Sequence, residues 1–228
     1  MTREASGSVY GRARQGLRTR LAERVARRSR ARRSELFRSL MRPGADDAVV
    51  DVGCGEAGLA AFEPQLPITG VDRVNRPGYA QGPRRFVEAD ARALPFGDRE
   101  FAIAYSNSLI EHIVDPADRR RAAAEIRRVG RRYFVQTPNR WFPVEPHALL
   151  PLVHWLPRAL GRRVWRLGVS TDPFDETRLL SARELRSLFP DGELVRERIG
   201  PLTKSLVVVG PAPTRRPASG SRPGSSSA

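Results

Sequence analysis

Apolar residues recur along this chain with two different periods. Leu17, Leu21 and Val25 stand four apart, and Leu36, Phe37, Leu40 and Met41 resume the same face, so residues 11–41 are predicted to be helical, with a break expected near residues 29–34. Pro43-Gly44 ends that pattern. Short, dense apolar runs follow and predict strands at residues 48–51, Ile68–Asp72, Arg85–Glu88, 101–106 and 132–137. Between the last two, Ala122, Ala123, Ile126 and Val129 define a helix over Pro116–Val129. Asp115 is its expected N-cap, Pro116 its first residue, and Gly130 follows its end. Ser181, with Glu184 three residues on, opens a further helix through Phe189. Glu193–Ile199 and residues 205–210 then alternate as an antiparallel closing pair.

This alternation of strands and helices predicts a doubly wound α/β domain with a mostly parallel sheet. Pro64 and Pro67 follow the first strand closely, and Pro77, Gly78, Gly82 and Pro83 follow the second, so the helices after these strands are expected to be short or replaced by loops. Residues 138–180 interrupt the pattern with Trp141, Phe142, Trp155 and Trp165 and with prolines at 138, 143, 146, 151 and 157, and read as an insertion or lid. Residues 1–42 form an Arg-rich helical extension, 43–210 the domain proper, and 211–228 a Pro/Ser/Gly tail expected to be disordered, as are residues 1–10.

The charge changes this picture only locally. There are 40 Lys and Arg residues against 25 Asp and Glu, a formal +15, and Lys204 is the only lysine. Such an arginine excess fits a coding bias as well as a polyanion-binding surface. Its densest stretch, residues 11–42, suits anionic lipid, nucleic acid or an acidic substrate. Cys54 is the single cysteine, which excludes an intrachain disulfide and a cysteine-rich zinc site. No run reaches the ~18 apolar residues of a transmembrane helix, and the first residues carry no signal-peptide core. These features fit a cytoplasmic protein with peripheral membrane contact as an option.

Three strands in succession end in a carboxylate: Val49-Val50-Asp51, Val71-Asp72 and Ala89-Asp90. Parallel sheets bind ligands at that edge. The runs Asp51-Val52-Gly53-Cys54-Gly55, Glu88-Ala89-Asp90-Ala91-Arg92-Ala93-Leu94-Pro95-Phe96 and Phe101 to His112 together resemble the class I S-adenosylmethionine-dependent methyltransferases, in particular the small type 11 group. The resemblance implies a Rossmann-like, seven-stranded sheet with an antiparallel closing strand, and S-adenosyl-L-methionine as cofactor. It implies that the turn at Gly53, Cys54 and Gly55 presents backbone N–H groups to the cofactor's carboxylate. It further implies that Asp51 meets the ammonium, Asp72 the ribose hydroxyls, Asp90 and Ala91 the adenine, and Asn107 the methionine half. The family often carries a third glycine where this chain has Ala57, with Gly58 one position later.

Methyl transfer from such a cofactor needs alignment and exclusion of water more than it needs acid–base help. The resemblance therefore implies the reaction better than the catalytic residue. His112, beside Glu111, and His147, beside Glu145, are the candidate bases or anchors, and Trp141 a candidate substrate contact. His154, among Leu152, Val153, Trp155 and Leu156, is expected to pack in the lid. No metal site is assigned, because no further histidine or carboxylate lies close to Glu111-His112 in sequence. A small-molecule acceptor, lipid-linked or a glycan precursor and methylated on oxygen, is the first reading. Methylation of nucleic acid through the Arg-rich helix is the second, although no Asn/Asp-Pro-Pro-Tyr/Phe motif follows the fourth strand. A non-catalytic cofactor-binding protein is the third.

Overall fold

The computed structural model describes residues 17–56, 58–76, 79, 85–170 and 173–211, with side chains from residue 28 onward. The expected disorder at residues 1–10 and 212–228, much of the loop after the second strand, and Ala57 lie outside the described residues.

Seven strands form one sheet: β1 (Val49–Val52), β2 (Ile68–Asp72), β3 (Arg85–Glu88), β4 (Phe101–Asn107), β5 (Gly130–Pro138), β8 (Glu193–Ile199) and β9 (Leu202–Gly210). Their order is β3-β2-β1-β4-β5-β9-β8. All pairings from β3 to β5 are parallel, and β9 runs antiparallel to both β5 and β8. The expected sheet is therefore present. The ends of β2, β3 and β8 agree with the apolar pattern, whereas β9 begins three residues before the expected 205.

The central strand explains the core. Every residue of β1 is buried, as a parallel strand covered on both faces must be. Val50 and Val52 face α2 (Pro116–Val129), through Ala122, Ala123, Ile126 and Val129, together with Leu185 and Phe189 from the segment 182–189. Val49 faces the opposite side, where Phe37 and Met41 of α1 (Leu17–Met41) pack with Ile68, Ile103, Tyr105 and Phe134. Among the described residues, that second face is covered chiefly by α1. After β1 there is only a 3-10 turn, Leu59–Ala61, and α1 fills the space instead. Burying Phe37 fully contributes ~1.5–3 kcal/mol by transfer alone.

α1 continues unbroken through residues 29–34, contrary to the expected break. Its serines serve packing rather than interruption. Ser34 donates to Glu63, a fully buried carboxylate that also accepts from Arg38 at 2.7 Å, and Ser29 accepts from Lys204. The helix C-terminus is held by Arg132, whose guanidinium donates to the Met41 carbonyl at 2.6 Å.

α2 starts as expected. Asp115 accepts from the N–H groups of Ala117 and Asp118 at 2.8 and 2.9 Å. Asp115→Ala is expected to lower stability by ~1 kcal/mol, the usual worth of an N-cap, in urea unfolding.

The segment expected to be an insertion, residues 138–180, is described except for residues 171–172. It holds a two-stranded hairpin of β6 (Val144–Glu145) and β7 (Leu150–Pro151), a helix α3 (Arg158–Trp165), and a small core of Ala148, Val153 and Trp165 with Phe174. The chain rejoins the domain at Leu180, beside Asn139, and α4 (Ala182–Leu188) opens with the capping box of Ser181 and Glu184.

Candidate functional site

β1, β2 and β4 end at one edge, where a cavity of about 430 Å³ opens. Its apolar walls are Val52, Val71, Ala91, Leu109, Ile113 and Val114, and its polar groups include Asp72, Asp90, Arg76, Ser108 and His112. Asp72 and Asp90, two of the expected carboxylates, thus reach it, and so do Gly53 and Ala91.

The turn after β1 is built on glycine. Gly53, Gly55 and Gly58 have φ of 77°, 58° and 48°. A Cβ on Gly53 would come within 2.9 Å of the Leu109 side chain, so glycine there keeps the cavity wall clear. A Cβ on Gly58 would lie 2.1 Å from Asp51 Oδ2 and 2.8 Å from the Cys54 carbonyl. The position after Ala57 is the one that requires glycine.

The backbone N–H groups of this turn differ from expectation. Gly53 and Cys54 both donate to the Val71 carbonyl at 2.8 and 3.1 Å, and Gly55 donates to Asp72 Oδ2 at 3.0 Å. They hold the turn to β2 and are not free for an anion. Cys54 and Gly55 do not line the cavity. The Cys54 thiol is buried, which raises its pKa and leaves it protonated.

Asp51 also lies away from the cavity. It is buried beneath the turn, where Oδ2 accepts from the Leu59 N–H at 2.7 Å and lies 3.4 Å from the Tyr79 hydroxyl. Burial pushes its pKa up to about 7, against the lowering effect of those two donors. The folded protein therefore holds this proton more tightly than the unfolded chain, whose aspartate titrates near 3.8. Its contribution to stability is present in full below that value and is lost as pH rises to about 7. Asp51→Asn is expected to flatten the stability profile between those two pH values, read by urea unfolding at fixed temperature.

Asp72 holds the site's rim. Its second oxygen accepts from Val74 N–H at 3.1 Å, and Arg76 lies 3.5 Å away while pairing with Glu56 at 2.7 Å. Asp90 is clamped by Arg92 through two side-chain bonds of 2.9 and 2.6 Å, which keeps its carboxyl below the usual range. Arg76 and Arg92 line the cavity and were not distinguished by the sequence, in which arginine is everywhere.

Asn107 does not reach the cavity. It continues the parity of Ile103 and Tyr105, which face α1, and its side-chain oxygen accepts from Arg33 at 3.1 Å. Ser108 and Leu109, just beyond the strand, line the cavity in its place.

Next to this cavity the fold assembles a second group. His112 is exposed at the wall, in the 3-10 turn Ile110–His112 after β4. Glu111 is fully buried: Oε2 accepts from the Thr137 hydroxyl at 2.9 Å, and Oε1 has no hydrogen-bond partner. The insertion brings in His147, whose ring meets that of His112 edge-on at 4.9 Å between centroids. Glu145 is buried and reaches His147 Nδ1 at 2.6 Å, while its other oxygen accepts from the N–H groups of His147 and Ala148. Four of the five residues expected to matter for the acceptor thus converge, although 33 to 36 positions separate the two pairs in the sequence. Trp141 does not join them. It is 64% exposed on the insertion's outer surface, near Trp155 and beneath the Arg140 guanidinium. His154 packs in the insertion, bonded to the Arg140 carbonyl and against Trp155.

Residues 50–133 match the family model of a methyltransferase domain. No curated protein matches the sequence at a significant level. Among solved structures, the chain is similar to the 1,6-didemethyltoxoflavin-N1-methyltransferase of Burkholderia thailandensis, crystallised with 1,6-didemethyltoxoflavin and S-adenosylhomocysteine. The two are 20% identical with a TM-score of 0.55, over 79% of this chain and 76% of that one. The YcgJ protein of Bacillus subtilis is 23% identical with a TM-score of 0.53, over 72% and 70% of the two chains. The N-methyltransferase NodS of Bradyrhizobium japonicum, in complex with S-adenosylhomocysteine, is 12% identical with a TM-score of 0.51, over 79% and 85%. At these identities the structural likeness concerns the fold.

Proposed function

We propose that this chain, whose residues 50–133 match a methyltransferase domain, is a class I S-adenosylmethionine-dependent enzyme that methylates an oxygen of a small-molecule acceptor, of lipid-linked or glycan-precursor type. The observation that carries this reading is the group of His112, His147, Glu111 and Glu145 set against the wall of the cavity.

The cavity's residues fit the cofactor. Gly53, having no side chain, lets Leu109 pack against the turn at the cavity wall, Asp72 offers a carboxylate to a pair of hydroxyls, and Ala91 with Leu109 offers apolar surface to a ring. Asp90 is committed to Arg92, so in this reading the Ala91 backbone takes the larger share of adenine recognition. The bound cofactor supplies a methyl group on positively charged sulfur, already activated for transfer. The chain has three tasks: to hold the acceptor oxygen in line, to keep water out with Leu109, Ile113 and Val114, and to accept the acceptor's proton. His112, at the wall, is placed for the last. Glu145 fixes the His147 ring, so that the imidazole pair keeps one orientation.

A labelled-methyl assay tests this reading, with cofactor carrying the label and extracts separated into lipid, small-molecule and nucleic-acid fractions. The expected result is label in lipid or small molecules, attached through oxygen by mass spectrometry. Label in RNA or DNA would overturn it and favour the Arg-rich helix as a phosphate clamp.

The proposed acceptor class has a corollary at the surface. Trp141, Leu152, Trp155, Leu160 and Leu167 are exposed on the insertion, beside Arg158, Arg162 and Arg163. Exposed apolar side chains interspersed with arginine along the segment suit the interface of an anionic bilayer, and Arg158 and Arg162 also pair with Asp175. No described helix is long and apolar enough to cross one. A Trp141→Ala/Trp155→Ala double variant is expected to bind phosphatidylglycerol vesicles roughly tenfold more weakly in co-sedimentation. Unchanged binding would remove the insertion from this role.

A further inference from the structure

We propose that Glu111, His112 and His147 bind a divalent transition-metal ion, of the zinc, cobalt or manganese type, at the wall of the cavity, with Glu145 orienting His147. One ligand-capable atom from each of the three lies within 4.8 Å of the other two. Ligands around a tetrahedral ion at ~2.1 Å stand ~3.4 Å apart, so an approach of up to ~1.4 Å completes the set. His112 is exposed and free to make that adjustment by rotation.

Three observations at two carboxylates, Glu111 and Glu145, point to an ion. The first is Glu111. Its Oε1 is buried without a hydrogen-bond partner, while Oε2 is satisfied by Thr137. A buried carboxylate oxygen left unanswered is costly, and a cation answers it. The second is the contact between Glu145 and His147 Nδ1 at 2.6 Å. Metal-bound histidines commonly donate their other ring nitrogen to a carboxylate, which fixes the tautomer and raises the basicity of the coordinating nitrogen. Here Nδ1–H faces Glu145, which makes Nε2 the basic nitrogen. The third is that Glu145 is itself locked by the N–H groups of His147 and Ala148, at 2.8 and 2.6 Å, so the orienting carboxylate is preformed.

The donor set selects the ion. Two imidazoles and one carboxylate suit borderline transition ions, whereas magnesium and calcium prefer oxygen alone. Three protein donors leave a coordination position open, as in catalytic rather than structural sites. Since His112 lines the cavity, that open position lies where an acceptor oxygen would enter. An ion held there would lower the pKa of an acceptor hydroxyl at the open position, and its proton would pass to solvent beside the exposed His112 before methyl transfer. The proposal deepens the acceptor site of the preceding reading: with an ion bound, the imidazoles act through it and not as bases.

The test is a titration of the chelator-stripped, full-length protein with Co²⁺, without cofactor, followed by visible absorption. One ion per chain with a ligand-field band is expected, displaced by Zn²⁺ and not by Mg²⁺. His112→Ala and His147→Ala are each expected to weaken binding at least ~100-fold, and Glu145→Gln ~10- to 100-fold with the stoichiometry unchanged. Asp72→Ala is expected to retain the ion, so failure of the cofactor reading leaves this result intact. His112 is exposed, and its variant is expected to keep the wild-type circular dichroism spectrum. Absence of the band in folded wild type, or equal affinity in the His112→Ala/His147→Ala double variant, would overturn the proposal and leave an edge-packed imidazole pair.

Discussion

Gly58→Ala is expected to destabilise the protein by about 3 kcal/mol. The backbone there, φ 48° and ψ −143°, belongs to a region that L-residues avoid. The added methyl would also meet the Asp51 carboxylate at 2.1 Å and the Cys54 carbonyl at 2.8 Å. Asp51 has little room to retreat, because it is buried and accepts from Leu59 at 2.7 Å. For a chain of this size the loss corresponds to a fall in Tm of about 6–12 °C, measurable by calorimetry. Gly55→Ala is the informative control. Its φ is also positive, at 58°, yet nothing lies within 4 Å of the new methyl, so a loss of only ~1 kcal/mol is expected. Equal effects at the two positions would mean that backbone strain, and not the Asp51 contact, governs the turn.

Asp72→Ala is expected to weaken cofactor binding about 100-fold or more, which is the loss of two hydrogen bonds to a charged acceptor. The effect has two parts. The carboxylate is the acceptor proposed for the ribose hydroxyls, and it also anchors the turn through Gly55 N–H at 3.0 Å. Asp90→Ala is expected to cost much less, near tenfold, because its oxygens are already held by Arg92 at 2.6 and 2.9 Å. Calorimetric titration with S-adenosylhomocysteine separates the two variants. A larger loss at Asp90 would assign the main polar contact to the adenine side.

What the sequence made legible follows from how local each signal is. β2, β3 and β8, and α2 with its Asp115 cap, rest on short-range apolar period and capping chemistry, and they agree with the structure at both ends. The carboxylates after β2 and β3 reach the cavity because a parallel sheet aligns its strand ends. Readings that depended on a side chain's direction fared differently. Asn107 has the right position in the sequence but the wrong parity, and it faces Arg33. Ser29 and Ser34 resemble helix breakers, and only the distant Lys204 and Glu63 show why they do not break α1. The turn's N–H groups are spent on Val71 and Asp72, which a glycine count cannot reveal. His147 meets His112 only because the insertion folds back over the end of β4. No spacing rule joins residues 35 positions apart.

Calorimetric titration of the wild-type protein with S-adenosylmethionine and S-adenosylhomocysteine tests the central claim most directly. The account predicts that both bind at one site per chain, with micromolar affinity. Folded protein that takes up neither would contradict it, and with it the assignment of the cavity at the ends of β1, β2 and β4.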